Sequence, residues 1–592
     1  MKIKNVGAII LILTSLLLTS SGFAGEIIRE FNFPESDLRI TTKDGYHLVS
    51  LAGCEYYTYT PGEPIVPYKN INLLIPPTAE ITSIEVLEEE RAEIPGAYLL
   101  YPAQRPRPIS YTGPIEFILP DEAIYNSSNE YPGKLYEILP SGNKSGFRIG
   151  GFFLYPLQYL PAAQKLVLVT KLRLRIIYTE NIYEEWPLTE NQRELFKEDI
   201  RHLVINPEDL ERFSPRVRYS ENPDIDYIIL TSANLRSRFA PLVHWLRKTG
   251  IWADTFSTNW VYSNYSGRDN AEKIRNFIRD YFTNHGTKYV LLAGDVSIIP
   301  KRGTYGEVGS DIDSFIPCDL YYFDLQYSWD GNQNNVFGDP WTISGRLDTV
   351  DLYYDVYGGR WPVETQAEVD TLIQKYFRYV KTPDTLYQKR LLLPAGHLWD
   401  NYNHMLSQES IAALSPTGWT DRVIDFEQQG SRYGVRDSLN TGFGFAHLVG
   451  HGNETGVYYN AGYMYSYNDP QTQTNFNKLA VVNSIACYPG CFDWNSDDCL
   501  AEKMVLARGS AIATIMNSRY GWGWPPICGP SERLDISFYR VLFDRDSIRL
   551  ANCHQPSKEV FRNWATTYNS YRWCYYELNL FGEPSMMMWK DN

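Results

Sequence analysis

From Asp226 onward, apolar runs of strand length alternate with segments of helical spacing, and few folds accommodate that rhythm. Tyr227-Ile228-Ile229-Leu230-Thr231 reads as a buried strand. Leu235 to Thr249 places Leu235, Phe239, Leu242 and Leu246 on one helical face. Strand Ile251 to Phe256, helix Ala271 to Phe282 and strand Tyr289 to Ala293 follow. A second round supplies Arg390 to Pro394, Gly444 to Val449, Leu479 to Ala486 and Ala511 to Met516. Such alternation implies βαβ units and a parallel sheet, so the expected class is α/β, with helices flanking mostly parallel sheets. Before that point the texture differs. Residues 25–215 carry short apolar or alternating runs, such as Ile81 to Val86 and Lys165 to Val169, punctuated by Pro and Gly. They read as a β-sandwich-like domain ahead of the α/β one. Glu180 to Arg216 is charged and loosely helical, and reads as a linker.

Two residues follow strands of the second round and precede turns. His451 ends Phe445-Ala446-His447-Leu448-Val449-Gly450-His451, and Cys487 ends Leu479-Ala480-Val481-Val482-Asn483-Ser484-Ile485-Ala486-Cys487. Open α/β sheets place reacting groups at the C-terminal edge of their strands. A thiol and an imidazole meeting there suit a cysteine nucleophile with a histidine base. Gly452 lets the backbone approach a substrate closely, and the N–H groups of Gly452 and Cys487 would hold an oxyanion. The bland alternative is a buried structural cysteine. His447 and His451 are four apart, but on a strand rather than a zinc-binding helix, so a metallohydrolase built on His447, His451 and Glu454 ranks low.

The net charge of −15 argues against a nucleic-acid partner, and 44% apolar residues support packed cores. Lys2 and Lys4, the apolar run Ala8 to Leu18 and Gly22-Phe23-Ala24 read as a signal peptide over residues 1–24. Secretion and a mature chain without a membrane span are therefore expected. Eight cysteines in an exported chain invite disulfides, of which Cys491–Cys499 and Cys553–Cys574 are candidates. A Cys487–Cys491 bridge would block the thiol and favour a catalytically inactive surface or binding protein. Asp330-Gly331-Asn332-Gln333-Asn334 with Asp339 is oxygen-rich enough for structural calcium, although Trp341 stands where an EF-hand has its bidentate glutamate. A solvated Asn/Asp turn is the alternative.

Several strings in order carry a resemblance. Gly450-His451-Gly452-Asn453-Glu454, followed by Ala486-Cys487, resembles the gingipain-type cysteine peptidases of the caspase-like clan. Gly294-Asp295, Cys318-Asp319-Leu320-Tyr321-Tyr322, Gly358-Gly359-Arg360-Trp361-Pro362-Val363 and Phe581-Gly582-Glu583-Pro584-Ser585 fit the same family, with Cys318 in place of its usual serine. Tyr59 to Pro67 resembles its propeptide. The resemblance implies a caspase-like fold over 222–592, in two α/β subdomains, about 222–385 and 386–592. It implies a secreted endopeptidase of proteins and peptides, made as a zymogen that its own propeptide inhibits. Catalysis would rest on Cys487 and His451 and require no cofactor. It offers Asp355 as the acid orienting the histidine, with an ordinary loop carboxylate as the alternative. It places Trp522 or Trp524 in the wall of the specificity pocket, against a tryptophan-pinned surface loop. It sets Glu368 near a pocket acid found in arginine-specific members, although acids at helix N-termini are common for dipole reasons alone.

Overall fold

The computed structural model describes residues 24–219, 224–340, 348–381, 386–545 and 548–590. The signal-peptide expectation, apart from Ala24, and Trp341 lie outside the described residues. Among the described residues no helix is long and apolar enough to cross a membrane.

The alternation from Asp226 becomes one ten-stranded sheet. In spatial order its strands are Ala253–Ser257, Tyr227–Thr231, Tyr289–Ala293, Tyr357–Trp361, Leu578–Phe581, Ala511–Asn517, Ala480–Ser484, Phe445–Leu448, Arg390–Ala395 and Thr420–Asp425. Neighbours are parallel except where Leu578–Phe581 runs antiparallel to Ala511–Asn517. The two α/β rounds thus point in opposite directions and share a single sheet, joined by the last strand of the chain. Tyr227–Thr231, Tyr289–Ala293 and Ala480–Ser484 are buried along their whole length, as strands covered on both faces are. The helix Asn270–His285 shows how local sequence sets the covering layer. Asp269 caps it by accepting from the Glu272 N–H, Gly286 ends it at φ 72°, and Ile274, Phe277, Ile278 and Phe282 are buried.

Residues before 180 form two four-stranded sheets. One contains Ala24–Asn32, Lys165–Thr179, Leu157–Leu160 and Glu80–Ile94; the other contains Tyr56–Tyr57, Pro67–Ile75, Phe147–Leu154 and Tyr136–Lys144. They pack closely: a Cβ on Gly150 would come within 2.4 Å of the Ile81 side chain. This is the β-rich domain expected ahead of the α/β one.

The stretch after it is not a loose linker. Thr189 and Gln192 form a capping box that starts the helix Glu190–Leu203. That helix buries Phe196, Asp199 and Ile200. Gln192 Nε2 donates to the carbonyls of Phe282 and Thr287 at 3.1 and 3.0 Å. The Tyr357 hydroxyl donates to Asp199 at 2.6 Å. Its charged face, which the sequence shows, hides an interdomain face that packs on the α/β domain.

Candidate active site

The parallel strands Phe445–Leu448 and Ala480–Ser484 are neighbours, with Leu448 opposite Ser484. His451 and Cys487 each lie three residues past those partners, so equal offsets carry both to the same sheet edge. Gly452 lies flat on the Cys487 backbone. A Cβ there would sit 2.7 Å from Ala486 Cβ and 2.8 Å from Cys487 O, so only glycine fits. Immediately after the cysteine, Tyr488 takes φ 71°, a left-handed turn rare for a bulky residue, and donates its N–H to Arg519 O at 2.8 Å.

A segment of the N-terminal domain lies across this edge. Arg107–Pro108 pairs antiparallel with Trp522–Gly523. The Ile109 N–H donates to Gly521 O at 2.7 Å. The Ser110 N–H donates to Cys487 Sγ at 3.3 Å. The Gly452 N–H donates to Ser110 Oγ at 2.9 Å, and that hydroxyl reaches Gly452 O at 3.2 Å. The segment forms a separate two-stranded ladder with Trp522–Gly523, held by main-chain bonds of the kind that hold extended peptides.

The cover sets the electrostatics. Burial pushes the Cys487 thiol up to about 12, with the contacts of Ser110 pulling the other way, so the sulfur is protonated at neutral pH. Burial lowers the His451 pKa, while the main chains of Leu398 and Ser110 favour its charged form. Its Nδ1 has no hydrogen-bond partner among the described residues.

Asp355 does not orient this histidine. Its carboxylate accepts from the N–H groups of Ser145 and Leu325 at 2.9 and 2.7 Å, which ties it to the other half of the sheet. Glu368 caps a helix: it accepts from the N–H groups of Glu364 and Thr365 at 2.8 and 2.9 Å. The Trp524 indole stacks on Tyr59 of the N-terminal domain, with centroids 4.2 Å apart, and its Nε1 donates to Ser570. Trp522 is buried edge-on against Trp573, and its main chain pairs with the covering segment. His447 is a sheet residue held between Gln408 and Asp535 at 2.8 and 3.0 Å.

All eight cysteines are free thiols, so the candidate disulfides are not formed. Cys491 belongs to another pocket, where Arg519 donates to its sulfur and Asp493 accepts from it, each at 3.3 Å. In the loop with Asp330, Asn332, Asn334 and Asp339, several of the oxygens that calcium would take are bonded within the protein. Asp330 pairs with Arg268 at 2.5 Å and accepts from the Asn334 N–H; Asn332 and Asn334 accept from loop N–H groups; Asp339 donates its N–H to Asp348. Among the described residues no group of three or more His, Cys, Asp or Glu is arranged to hold a metal ion.

The remaining motif strings converge on a structural knot. Arg360 holds Asp319 with two bonds of 2.7 and 2.6 Å and donates to Gly294 O at 2.8 Å. Gly582 donates its N–H to Arg360 O, and a Cβ on Gly359 would come within 2.4 Å of Gly582 O. This knot ties the first round to the last strand. What sequence reasoning missed was Arg107 to Ser110. Its signal was Arg105-Pro106-Arg107-Pro108, in which alternate prolines exclude helix and favour an extended chain.

Fold and site together give an α/β domain with a thiol and an imidazole at one sheet edge, which a segment of the preceding β-rich domain covers. The chain belongs to peptidase family C25: residues 220–589 match that family, and residues 32–213 match its propeptide, propeptide C25. It is 24% identical over 573 residues to Lys-gingipain HG66 of Porphyromonas gingivalis, covering 88% of this chain and 30% of that protein. The chain thus spans about a third of the length of the curated relatives it matches. Among solved structures, gingipain R, an Arg-specific cysteine proteinase, shares 19% identity at a TM-score of 0.48, over 63% of this chain and 79% of that one. The structure describing zymogenic latency of gingipain K from Porphyromonas gingivalis shares 20% identity at a TM-score of 0.23, over 27% of this chain and 95% of that one.

Proposed function

We propose that this chain is the latent form of a secreted cysteine endopeptidase. Cys487 Sγ attacks the scissile carbonyl, and the N–H groups of Gly452 and Cys487 hold the oxyanion. His451 takes the thiol proton and passes it to the leaving amine, leaving a thioester on Cys487. Water then adds to the thioester, releases the acid and restores the thiol. The observation that carries this reading is Ser110, which touches Cys487 Sγ and the Gly452 N–H at once, where a scissile bond and its oxyanion would lie. A basic-residue preference through Glu368 is not part of it, because that carboxylate is engaged at a helix start. The inactive binding-protein alternative loses its support in the partners of Cys491.

The test uses the full chain with Arg107 to Ser110 replaced by glycines, assayed on an unfolded protein substrate. Hydrolysis that stops on thiol alkylation supports the reading. Hydrolysis that persists after Cys487 is alkylated rejects it.

A further inference from the structure

The propeptide segment identifies what the cleft accepts. Ile109 precedes the residue whose N–H touches Cys487 Sγ, so the Ile109–Ser110 peptide bond lies where a substrate's scissile bond would lie. The Ile109 N–H to Gly521 O bond and the antiparallel pairing of Arg107–Pro108 with Trp522–Gly523 hold the segment extended along the cleft. In that register Ile109 occupies the position of the residue whose carbonyl is attacked. Its side chain is fully buried in a cluster with Leu398, Trp399, Tyr402, Val449 and Ile485, beside Cys487. An acid lies behind Tyr402, with both of its oxygens bonded within the protein. Glu532 has one oxygen taken by the Tyr402 hydroxyl at 2.6 Å and the other by the Gly529 N–H at 2.9 Å.

We infer that the primary specificity pocket takes a branched aliphatic side chain, so the enzyme cleaves after isoleucine, valine or leucine. The inference rests on the peptidase reading and adds its substrate class. Burying a branched aliphatic side chain takes its apolar surface out of water, whereas a lysine or aspartate would bring in a charge that must be desolvated. Ser110 accounts for the survival of the segment. Its hydroxyl occupies the Gly452 N–H, the donor that a tetrahedral oxyanion needs.

The experiment uses the full chain. Cys487 labelling by iodoacetamide is followed by mass spectrometry in Ile109→Val, Ile109→Leu, Ile109→Lys and Ile109→Asp. The aliphatic variants keep the slow labelling of the parent, and the charged ones label about tenfold faster or more. Ile109→Gly, which adds no charge, is the second opening variant should the charged chains fail to fold, and it also labels faster. Equal labelling across the set overturns the inference. The opened chain is then given peptides that differ only before the scissile bond. Cleavage after Val, Ile or Leu at least about tenfold faster than after Lys, Arg or Asp supports it. Cleavage after Lys or Arg instead overturns the inference and leaves the peptidase reading standing. A chain whose Cys487 labels readily but cuts none of the peptides overturns both.

Discussion

Two of the places where the propeptide grips the peptidase domain are built from opposite materials. Over the cleft, the Arg107 to Ser110 segment uses main-chain bonds, one hydroxyl and one aliphatic side chain. At the other half of the sheet, the turn Asn143 to Ser145 enters a nest of buried carboxylates. The Asn143 N–H donates to Asp351 at 2.6 Å, the Ser145 N–H to Asp355 at 2.9 Å, and Lys144 Nζ to Glu559 at 2.7 Å. Lys144, Asp355 and Glu559 are all essentially without solvent contact. The first grip acts on the proposed chemistry, because it sits on the Cys487 sulfur and on the Gly452 N–H proposed to hold the oxyanion. The second acts on attachment, because a buried charge has no good alternative to its partner. A grip on chemistry tolerates side-chain change wherever the backbone can still bond; a charged anchor does not.

The contrast breaks most completely at the nucleophile. Cys487→Ala in the strap-opened chain is expected to lower peptide hydrolysis by about a thousandfold or more while leaving the unfolding midpoint nearly unchanged. A stopped-assay comparison with the parent checks it, and residual turnover within tenfold of the parent is the contrary result. At the anchor the effect falls on stability. Lys144→Met leaves Glu559 buried with the Tyr354 N–H but without the Lys144 ammonium, and is expected to cost about 3–5 kcal/mol in urea unfolding. A loss under 1 kcal/mol would show that the anchor is not what holds the propeptide down.

Acidity separates the two grips next. Burial raises Asp355 to about 8, with Asp351 pushing the same way and the N–H groups of Leu325 and Ser145 opposing. A free aspartate titrates near 3.9, so the folded chain holds this proton more tightly than the unfolded one. The contribution is therefore most favourable below about pH 4 and is lost as pH rises toward about 8. Thermal midpoints between pH 5 and 8 should fall less steeply in Asp355→Asn than in the parent. Equal slopes would remove the carboxylate from the account of pH dependence. Smaller still is Ser110→Gly. It releases one hydrogen bond from Gly452, and should speed Cys487 labelling several-fold while costing about 1 kcal/mol in unfolding. Smallest is Glu368→Ala, which removes a helix cap far from either grip and should cost at most about 1 kcal/mol, with labelling unchanged.

The meeting of His451 and Cys487 was legible because its geometry is local in the sequence: two strands, each followed after the same number of residues by an imidazole or a thiol. The register Leu448 to Ser484 turns that equal spacing into proximity. The knot of Asp319, Arg360 and Gly294 was legible as motif strings but not as a contact, since strings carry order and not distance. Asp355 was misplaced for the same reason. It immediately precedes the Val356 to Val363 string in the chain, yet its strand lies in the half of the sheet remote from Phe445–Leu448. Glu368 had a local signature, Thr365 three residues before it, that reads as a capping box. The covering segment was hidden because its work is done by N–H and C=O groups, which every residue carries. Ile109 and Ser110 gain meaning only from what they are laid against.

The most direct test is the iodoacetamide labelling rate of Cys487 in two full-length chains, one native and one with Arg107 to Ser110 replaced by glycines. A cysteine buried beneath a propeptide strand labels slowly in the first chain and at least about tenfold faster in the second, where the thiolate is accessible beside His451. Equal rates in the two chains would contradict the assignment of this segment as the cover of the active site.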